Sequence, residues 1–372
     1  MKILYYWLTM GPYHFARMNA LAQQPGIDLH VIEATNIDDH YWKREEQNFA
    51  FTHQSIYEDQ VLDAAITRKA SRQLVDVIGD IRPEIFVNGA GYFEPFMYSR
   101  LRKIKKKFHP RLVLWSESTR FDHKRIFWKE QIKKAILGLY DGAIVAGMPH
   151  KSYLTQLGLP EDLIGVVGNV VDNQFYQTDE AEDDRRSGFL YIGRFLDIKN
   201  LEFLIHSYAE YRRQSQLPTE ELHPLYLVGD GPERERLEEM VAEQQIPGIV
   251  FTGILQPDDV RKMYEGCSVF VLPSTSEPWG LVVNEAMASG MPVLVSNMCG
   301  CSFDLVWDGQ NGFLFDPWDQ QELTEKLLIL SGDPDLRFKM GREARQTIAQ
   351  FTPQTYAEKC VQFFQHIHPQ IA

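Results

Sequence analysis

The chain has 372 residues, more than one hydrophobic core usually serves, so two domains of roughly 150 to 200 residues are expected. With 44% hydrophobic and 24% charged residues, its composition excludes intrinsic disorder, collagen and coiled coil. The net charge of -13 is unevenly held: residues 1–170 carry 22 Lys and Arg against 19 Asp and Glu, and residues 171–372 carry 16 against 32, a balance that argues against a general nucleic-acid binder.

In chain order, the opening MKILYYWLTMGPYHF has one lysine and a short apolar run broken at Gly11-Pro12, so it reads as a first strand rather than a signal peptide. Short continuous apolar runs, the mark of buried parallel strands, recur at Ile3–Leu8, Leu29–Ile32, Ile85–Asn88, Leu112–Trp115, Ala143–Ala146 and Ile164–Val167. Helical stretches lie between them, among them Phe15–Ala22 and Ile66–Ile78, the latter with Gly79-Asp80 and Arg82-Pro83 as stop signals. A polar run dominated by acids, Gln177–Ser187, reads as the domain junction. The strand pattern then restarts at Phe189–Ile192, Leu225–Val228, Ile249–Phe251, Val269–Leu272 and Val293–Val295. Two parallel α/β domains with a crevice between them are expected. No stretch reaches the roughly 18 apolar residues that a membrane span needs.

In open parallel sheets, ligands bind beyond the carboxyl ends of the strands, so the loops after strands hold the candidates. Thr9–His14 offers Gly11, where backbone can approach a phosphate, and His14, which has a helix-start alternative. Gly193–Asn200 places Arg194 and Lys199 at one strand end, two cations able to neutralise a diphosphate, with Asn200 as helix N-cap. Val228-Gly-Asp-Gly-Pro232 puts glycines on both sides of Asp230 in a tight turn. The loop from Leu272 carries Glu277, and the helix starting near Gly280 offers the amides of Gly280, Leu281 and Val282 as an anion site, with Glu285 more than one turn inside and Gly290 as the stop.

These residues resemble the retaining glycosyltransferases of the GT-B fold grouped as family 4 (glycosyl transferases group 1). Glu277 and Glu285 match an E-x7-E motif, flanked by E-P-W-G-L-V-x-x-E-A-M-A-x-G-x-P-V; G-R-x-x-x-x-K-N matches at Gly193–Asn200, V-G-D-G-P at Val228–Pro232, and Phe251-Thr-Gly253 fits the following strand. The resemblance is specific over residues 165–350 and looser over 1–164. It implies the GT-B fold, two Rossmann-like α/β domains whose parallel sheets face an interdomain cleft: 1–170 binding acceptor, 171–350 binding the nucleotide-sugar donor, and a helix in 351–372, begun near Pro353, crossing back to the first domain. Arg194 and Lys199 are implied to grip the donor diphosphate together with the amides of Gly280, Leu281 and Val282. Glu285 is implied to bind the ribose, Glu277 the hydroxyls of the transferred sugar, and the backbone around Ile254 the base. Gly11 is implied to close over the phosphates; Gly193, Asp230 and His14 join it as substrate-site candidates, and Asn88 or Gly89 stands as the candidate lining residue where the family pattern is departed from.

The implied activity is metal-independent, retaining transfer of a hexose from a nucleotide-diphosphate sugar, a UDP-sugar before GDP or ADP alternatives, to a glycan, lipid-linked or small-molecule hydroxyl. No cofactor is expected. A catalytically silent GT-B binding subunit and a sugar-nucleotide epimerase are the alternative readings. Many relatives carry a His in the loop after Ile85–Asn88; here that loop reads Asn88-Gly-Ala-Gly-Tyr-Phe-Glu94, and Glu117 and Arg120 join it as acceptor-site candidates. Asp333-Pro-Asp335 reads as a helix start rather than a metal-holding D-x-D. Cys299-Gly-Cys301 without a second pair reads as structural, and the four Cys as reduced thiols of a cytoplasmic protein. The basic segment Tyr98–Arg111 reads first as an amphipathic surface helix and second as a peripheral contact with an anionic membrane on its cytoplasmic face, assisted by Arg125–Lys129.

Overall fold

A computed structural model of the chain describes residues 1–37, 49–90, 94–122, 125–178 and 187–369. It divides into two compact units, Met1–Arg120 with Lys124–Val171 and Thr352–Ala372, and Phe121–His123 with Asp172–Phe351. The change of unit falls at Val171/Asp172, ahead of the acid-rich run, of which residues 179–186 lie outside the described residues.

The first unit alternates strand and helix: β1 (Lys2–Trp7), α1 (Pro12–Ala22), β2 (Asp28–Ile37), β3 (Thr52–Val61), α2 (Ala64–Ile81), β4 (Ile85–Asn88), α3 (Pro95–Phe108), β5 (Arg111–Ser116), α4 (Phe127–Leu137), β6 (Gly142–Val145), α5 (Met148–Gln156) and β7 (Ile164–Val166). The strands form one parallel sheet in the order β3-β2-β1-β4-β5-β6-β7. The order reverses between β1 and β4, which opens a crevice at their carboxyl ends. Strands β4 and β6 are buried along their whole length, which explains why they read as unbroken apolar runs. Helix α2 starts where the Asp63 carboxylate accepts the Ile66 N–H at 2.6 Å. Gly79-Asp80 does not stop it. Gly79 lies inside the helix, where a Cβ would stand 2.9 Å from the Phe108 ring, and the helix ends instead with Arg82 at φ +51°. In α3, Met97, Leu101 and Ile104 are fully buried in the core of this unit, so α3 is an amphipathic surface helix.

The second unit comprises α6 (Asn173–Tyr176), β8 (Phe189–Ile192), α7 (Leu201–Gln214), β9 (Leu225–Val228), α8 (Arg234–Glu243), β10 (Ile249–Gly253), α9 (Pro257–Gly266), β11 (Val269–Leu272), α10 (Leu281–Ala288), β12 (Val293–Ser296), α11 (Ser302–Leu305), β13 (Gly312–Phe315), α12 (Gln320–Gly332) and α13 (Pro334–Ile348). Its parallel sheet runs β10-β9-β8-β11-β12-β13, with the reversal between β8 and β11. Asp333 caps α13, its carboxylate accepting the Leu336 N–H at 2.9 Å, so Asp333-Pro-Asp335 is a helix start. Asn200 stands at the N-cap position of α7 but does not cap it. Its φ is +59°, and its side-chain amide donates to the Pro317 carbonyl at 2.9 Å and the Pro273 carbonyl at 3.3 Å.

The last helix, α14 (Pro353–Ile367), starts from the Thr352 cap and groups with the first unit. There Phe363 fills the space that a side chain at Gly142 or Gly165 would take, at 2.9 and 2.8 Å from their Cβ positions. Among the described residues, no helix is long and apolar enough to cross a membrane.

Candidate functional site

In the second unit, the loops after β8 and β11 flank the point where the strand order reverses, and they are tied together there. The Thr275 N–H donates to the Ile198 carbonyl at 2.9 Å. The Lys199 ammonium forms an ion pair with the Glu277 carboxylate, both side chains being mostly buried. Sequence reasoning placed each of these residues near a phosphate or a sugar but did not pair them.

The Glu277 loop is fixed from behind. The Gly300 N–H donates to the Glu277 carbonyl at 2.9 Å and the Cys301 N–H to the Trp279 carbonyl at 3.1 Å, so the Cys299–Cys301 segment braces the motif. Burial pushes both thiols well above their usual pKa, and the nearby Glu277 carboxylate adds to the effect at each. That fits a structural role and argues against reactive thiols. Gly280 turns the chain into α10 at φ +99°, a left-handed conformation that glycine adopts at no steric cost. The amides of Gly280, Leu281 and Val282 thus stand at a helix N-terminus, the positive end of its dipole. One and a half turns on, Glu285 is buried, and the Tyr264 hydroxyl donates to its carboxylate at 2.7 Å.

Behind the β8 loop, the Tyr191 hydroxyl donates to the Arg194 carbonyl at 3.0 Å, while the Arg194 side chain is exposed. Burial raises the Tyr191 pKa well above its usual value, and the Glu277 charge adds to the effect. The turn after β9 packs backbone to backbone on the same loop. Gly229, at φ +130°, has no room for a Cβ, which would lie 2.0 Å from the Gly193 carbonyl oxygen, and the Phe195 N–H donates to the Asp230 carbonyl at 2.8 Å. The Asp230 carboxylate turns back on its own loop, accepting the Gly231 N–H at 2.7 Å and pairing with Arg234 at 3.2 Å. Ile254 follows β10 and is 63% exposed. Tyr191 and Tyr264 escaped sequence reasoning, because a tyrosine in a buried strand or helix is indistinguishable there from ordinary core.

In the first unit, the Gly11 N–H donates to Nδ1 of His14 at 3.1 Å, and the His14 ring meets Trp7 edge-on at 4.6 Å. His14 is thereby both a helix-start residue and part of the loop after β1. Asn88 is fully buried and donates to the Tyr140 hydroxyl at 2.9 Å. Of the loop that follows, residues 91–93 lie outside the described residues. A polar chain missed in the sequence ends at Glu117: buried Arg17 donates to Asn169 at 2.7 Å, and Asn169 donates to Glu117 at 2.7 Å. Glu33, fully buried, holds the β1 loop by accepting the Met10 N–H at 2.9 Å, with Ser55 and His53 as further partners.

Comparison with known proteins places this geometry. The family model described as Glycosyl transferases group 1 matches residues 172–347, nearly the whole second unit. The sulfoquinovosyl transferase SQD2 of Arabidopsis thaliana is 41% identical over 122 residues, 32% of this chain and 23% of that protein. The chain spans between about a quarter and a half of the length of the first curated relatives it matches, 23%, 48% and 50%. Among solved structures, a sucrose-phosphate synthase from Thermosynechococcus elongatus superposes with a TM-score of 0.77 at 18% identity, covering 100% of both chains. Anabaena HepE in complex with UDP does so with a TM-score of 0.74 at 16% identity, covering 98% of this chain and 100% of that one. At such identities the likeness shows the fold, which is that of GT-B glycosyltransferases. Residues 172–347 are thus similar in sequence to the glycosyl transferases group 1 family model.

Proposed function

We propose that the protein is a retaining, metal-independent glycosyltransferase that uses a UDP-sugar and transfers its hexose to a hydroxyl acceptor. The observation that carries this reading is the Lys199–Glu277 pair, set between the loops after β8 and β11 beside the N-terminus of α10. It juxtaposes a cation and helix amides suited to a diphosphate with a carboxylate suited to sugar hydroxyls. The UDP bound by HepE, a structure of the same fold, supports the choice of base.

In this reading Lys199, Arg194 and the amides of Gly280, Leu281 and Val282 hold the donor diphosphate, with Gly193 giving it backbone access. Glu285, oriented by Tyr264, takes the ribose, Ile254 lies against the base and Asp230 shapes the adjoining loop. Glu277 binds hydroxyls of the transferred sugar, and Gly11 and His14 make substrate contacts in the first unit, where Asn88, fully buried on the Tyr140 hydroxyl, supports the loop after β4 from behind. The acceptor oxygen bonds to the anomeric carbon on the face the diphosphate leaves, the bond from that carbon to the diphosphate oxygen breaks, and the departing oxygen takes the acceptor proton. The protein's share is positioning and stabilisation of the charge that develops on the diphosphate, which its cations supply in place of a metal.

The test compares thermal shifts with UDP, GDP and ADP, each with and without a chelator. A ligand at about 100 times its Kd stabilises the native state by about 2.7 kcal/mol. A chelator-insensitive shift with UDP alone is expected. A shift that disappears with chelator overturns metal independence, and a shift with another base overturns the choice of UDP. Nuclear magnetic resonance of the product's anomeric carbon then checks retention.

A further inference from the structure

Helix α4 is turned the wrong way for a helix whose apolar side only serves the core. Its inner side is accounted for: Ile136 and Leu137 are buried, and Glu130 and Lys133 converge on Tyr153, whose hydroxyl donates to Glu130 at 2.7 Å and accepts from Lys133 at 2.8 Å. The opposite side is also apolar. Trp128 and Ile132, one turn apart, are 74% and 53% exposed, and Phe127 beside them is 65% exposed with its ring 5.3 Å from that of Trp128. Ile126 extends the strip toward the loop before the helix. Leaving these groups in water forgoes burial that a helix with polar residues there would not need, so the strip calls for a partner.

Charge says which partner. Lys129 and Lys134 of the same helix are exposed, and the neighbouring α3 exposes Arg102, Lys103, Lys106 and Lys107. Lys105 of α3 donates to the carbonyl of Leu139, in the turn that follows α4, at 2.6 Å, and the buried residues of the two helices belong to one core cluster. Neither helix presents an unpaired carboxylate: α3 contains none, and Glu130 of α4 is committed to Lys133 and Tyr153. In a chain of net charge -13, this is a local concentration of cations around aromatic and aliphatic side chains. Tryptophan with flanking lysines suits the boundary between lipid headgroups and acyl chains, and exposed cations suit an anionic leaflet.

We propose that the outer face of α4, with the exposed cations of α3, docks the protein on an anionic lipid bilayer, Phe127, Trp128 and Ile132 entering the headgroup boundary. This shifts the apolar contact from α3, whose Leu101 and Ile104 are spent on the core, to α4. The proposal stands apart from the donor reading.

The experiment is co-sedimentation of the full chain with vesicles of phosphatidylcholine alone and of phosphatidylcholine with about one third phosphatidylglycerol, at low and high salt. Binding to the anionic vesicles, weakened by salt, is expected. The variant F127S/W128S/I132S is expected to lose at least about tenfold in partition, while its thermal midpoint and its response to UDP match those of the unaltered chain. A fluorescence blue shift on vesicle addition that Trp128→Phe diminishes adds a reading of depth. Equal binding to neutral vesicles, no binding to either, or undiminished binding by the triple variant overturns the proposal. So does a dimer in solution that the triple variant dissolves, because the strip is then an interface between copies of the chain.

Discussion

Lys199 and Glu277, 78 residues apart in sequence, meet as an ion pair in which each charge is withdrawn from water against the other. Neither is compensated if its partner is removed, and an uncompensated charge in such a place is costly. Lys199→Ala should therefore lower the thermal midpoint and, under the proposed function, lower transfer by roughly 100-fold, the scale of losing one donor to developing charge. Adding Glu277→Ala should recover stability but not activity. A calorimetric scan and a transfer assay on the two variants separate these effects; equal stability of the single and double variants would contradict the pairing.

Tyr264→Phe removes the hydroxyl that donates to buried Glu285. A hydrogen bond to a charged group is worth roughly 1.5 to 3 kcal/mol, and its loss should appear in urea unfolding. Under the proposed function it should also weaken UDP binding, read by calorimetric titration, with little change at saturating donor. Unaltered UDP affinity would detach Glu285 from the ribose.

Gly229→Ala tests whether the β9 turn supports the β8 loop. The added methyl would lie 2.0 Å from the Gly193 carbonyl oxygen at a φ of +130°, so either the loop moves or the backbone distorts. A loss on the order of 2 kcal/mol or more is expected in urea unfolding, together with weaker nucleotide binding. A variant that folds and binds as the parent does would show that the two loops are independent.

His223 supplies a pH dependence. Burial, aided by the nearby Arg337 charge, lowers its pKa to about 4, and its Nδ1 lies 3.0 Å from the Ser268 hydroxyl. The folded state therefore favours the neutral ring, while the unfolded chain takes up a proton near pH 6.5. Its contribution is fully present above about pH 6.5 and is lost as pH falls toward 4, at most about 3 kcal/mol. Urea midpoints measured across this window should fall more steeply for the parent than for His223→Gln; parallel slopes would assign the dependence elsewhere.

Elements buried on both faces were legible, because burial writes an unbroken apolar run: β4, β8, β9 and β11 stand where the sequence places them. Strand β3 was not, since Thr52–Val61 lies at the sheet edge with most of its side chains turned to water, and nothing in a polar, weakly alternating stretch forces a strand. Strand β13 escaped as well; it is short and opens with Gly312, whose missing side chain lets the Val293 carbonyl approach to 2.1 Å of its Cβ position. At the site, the loops after strands gave up their charged residues readily, as polar groups in glycine-rich surroundings. What joins them did not show: the Asn200 amide leaves its own helix for two proline carbonyls brought near only by the folded sheet.

The placement of α14 bears on how the chain is made. The first unit holds Tyr356 against Trp115 at 5.9 Å, Cys360 against the Tyr5 hydroxyl and Phe363 against Gly142 and Gly165. Those partners leave the ribosome only after the residues from Asp172 to Phe351 have been synthesised, roughly 10 to 40 s later at ordinary rates of elongation. Throughout that interval the nascent first unit carries an uncovered apolar groove along β6 and β7, so its last layer closes only after the second unit has emerged.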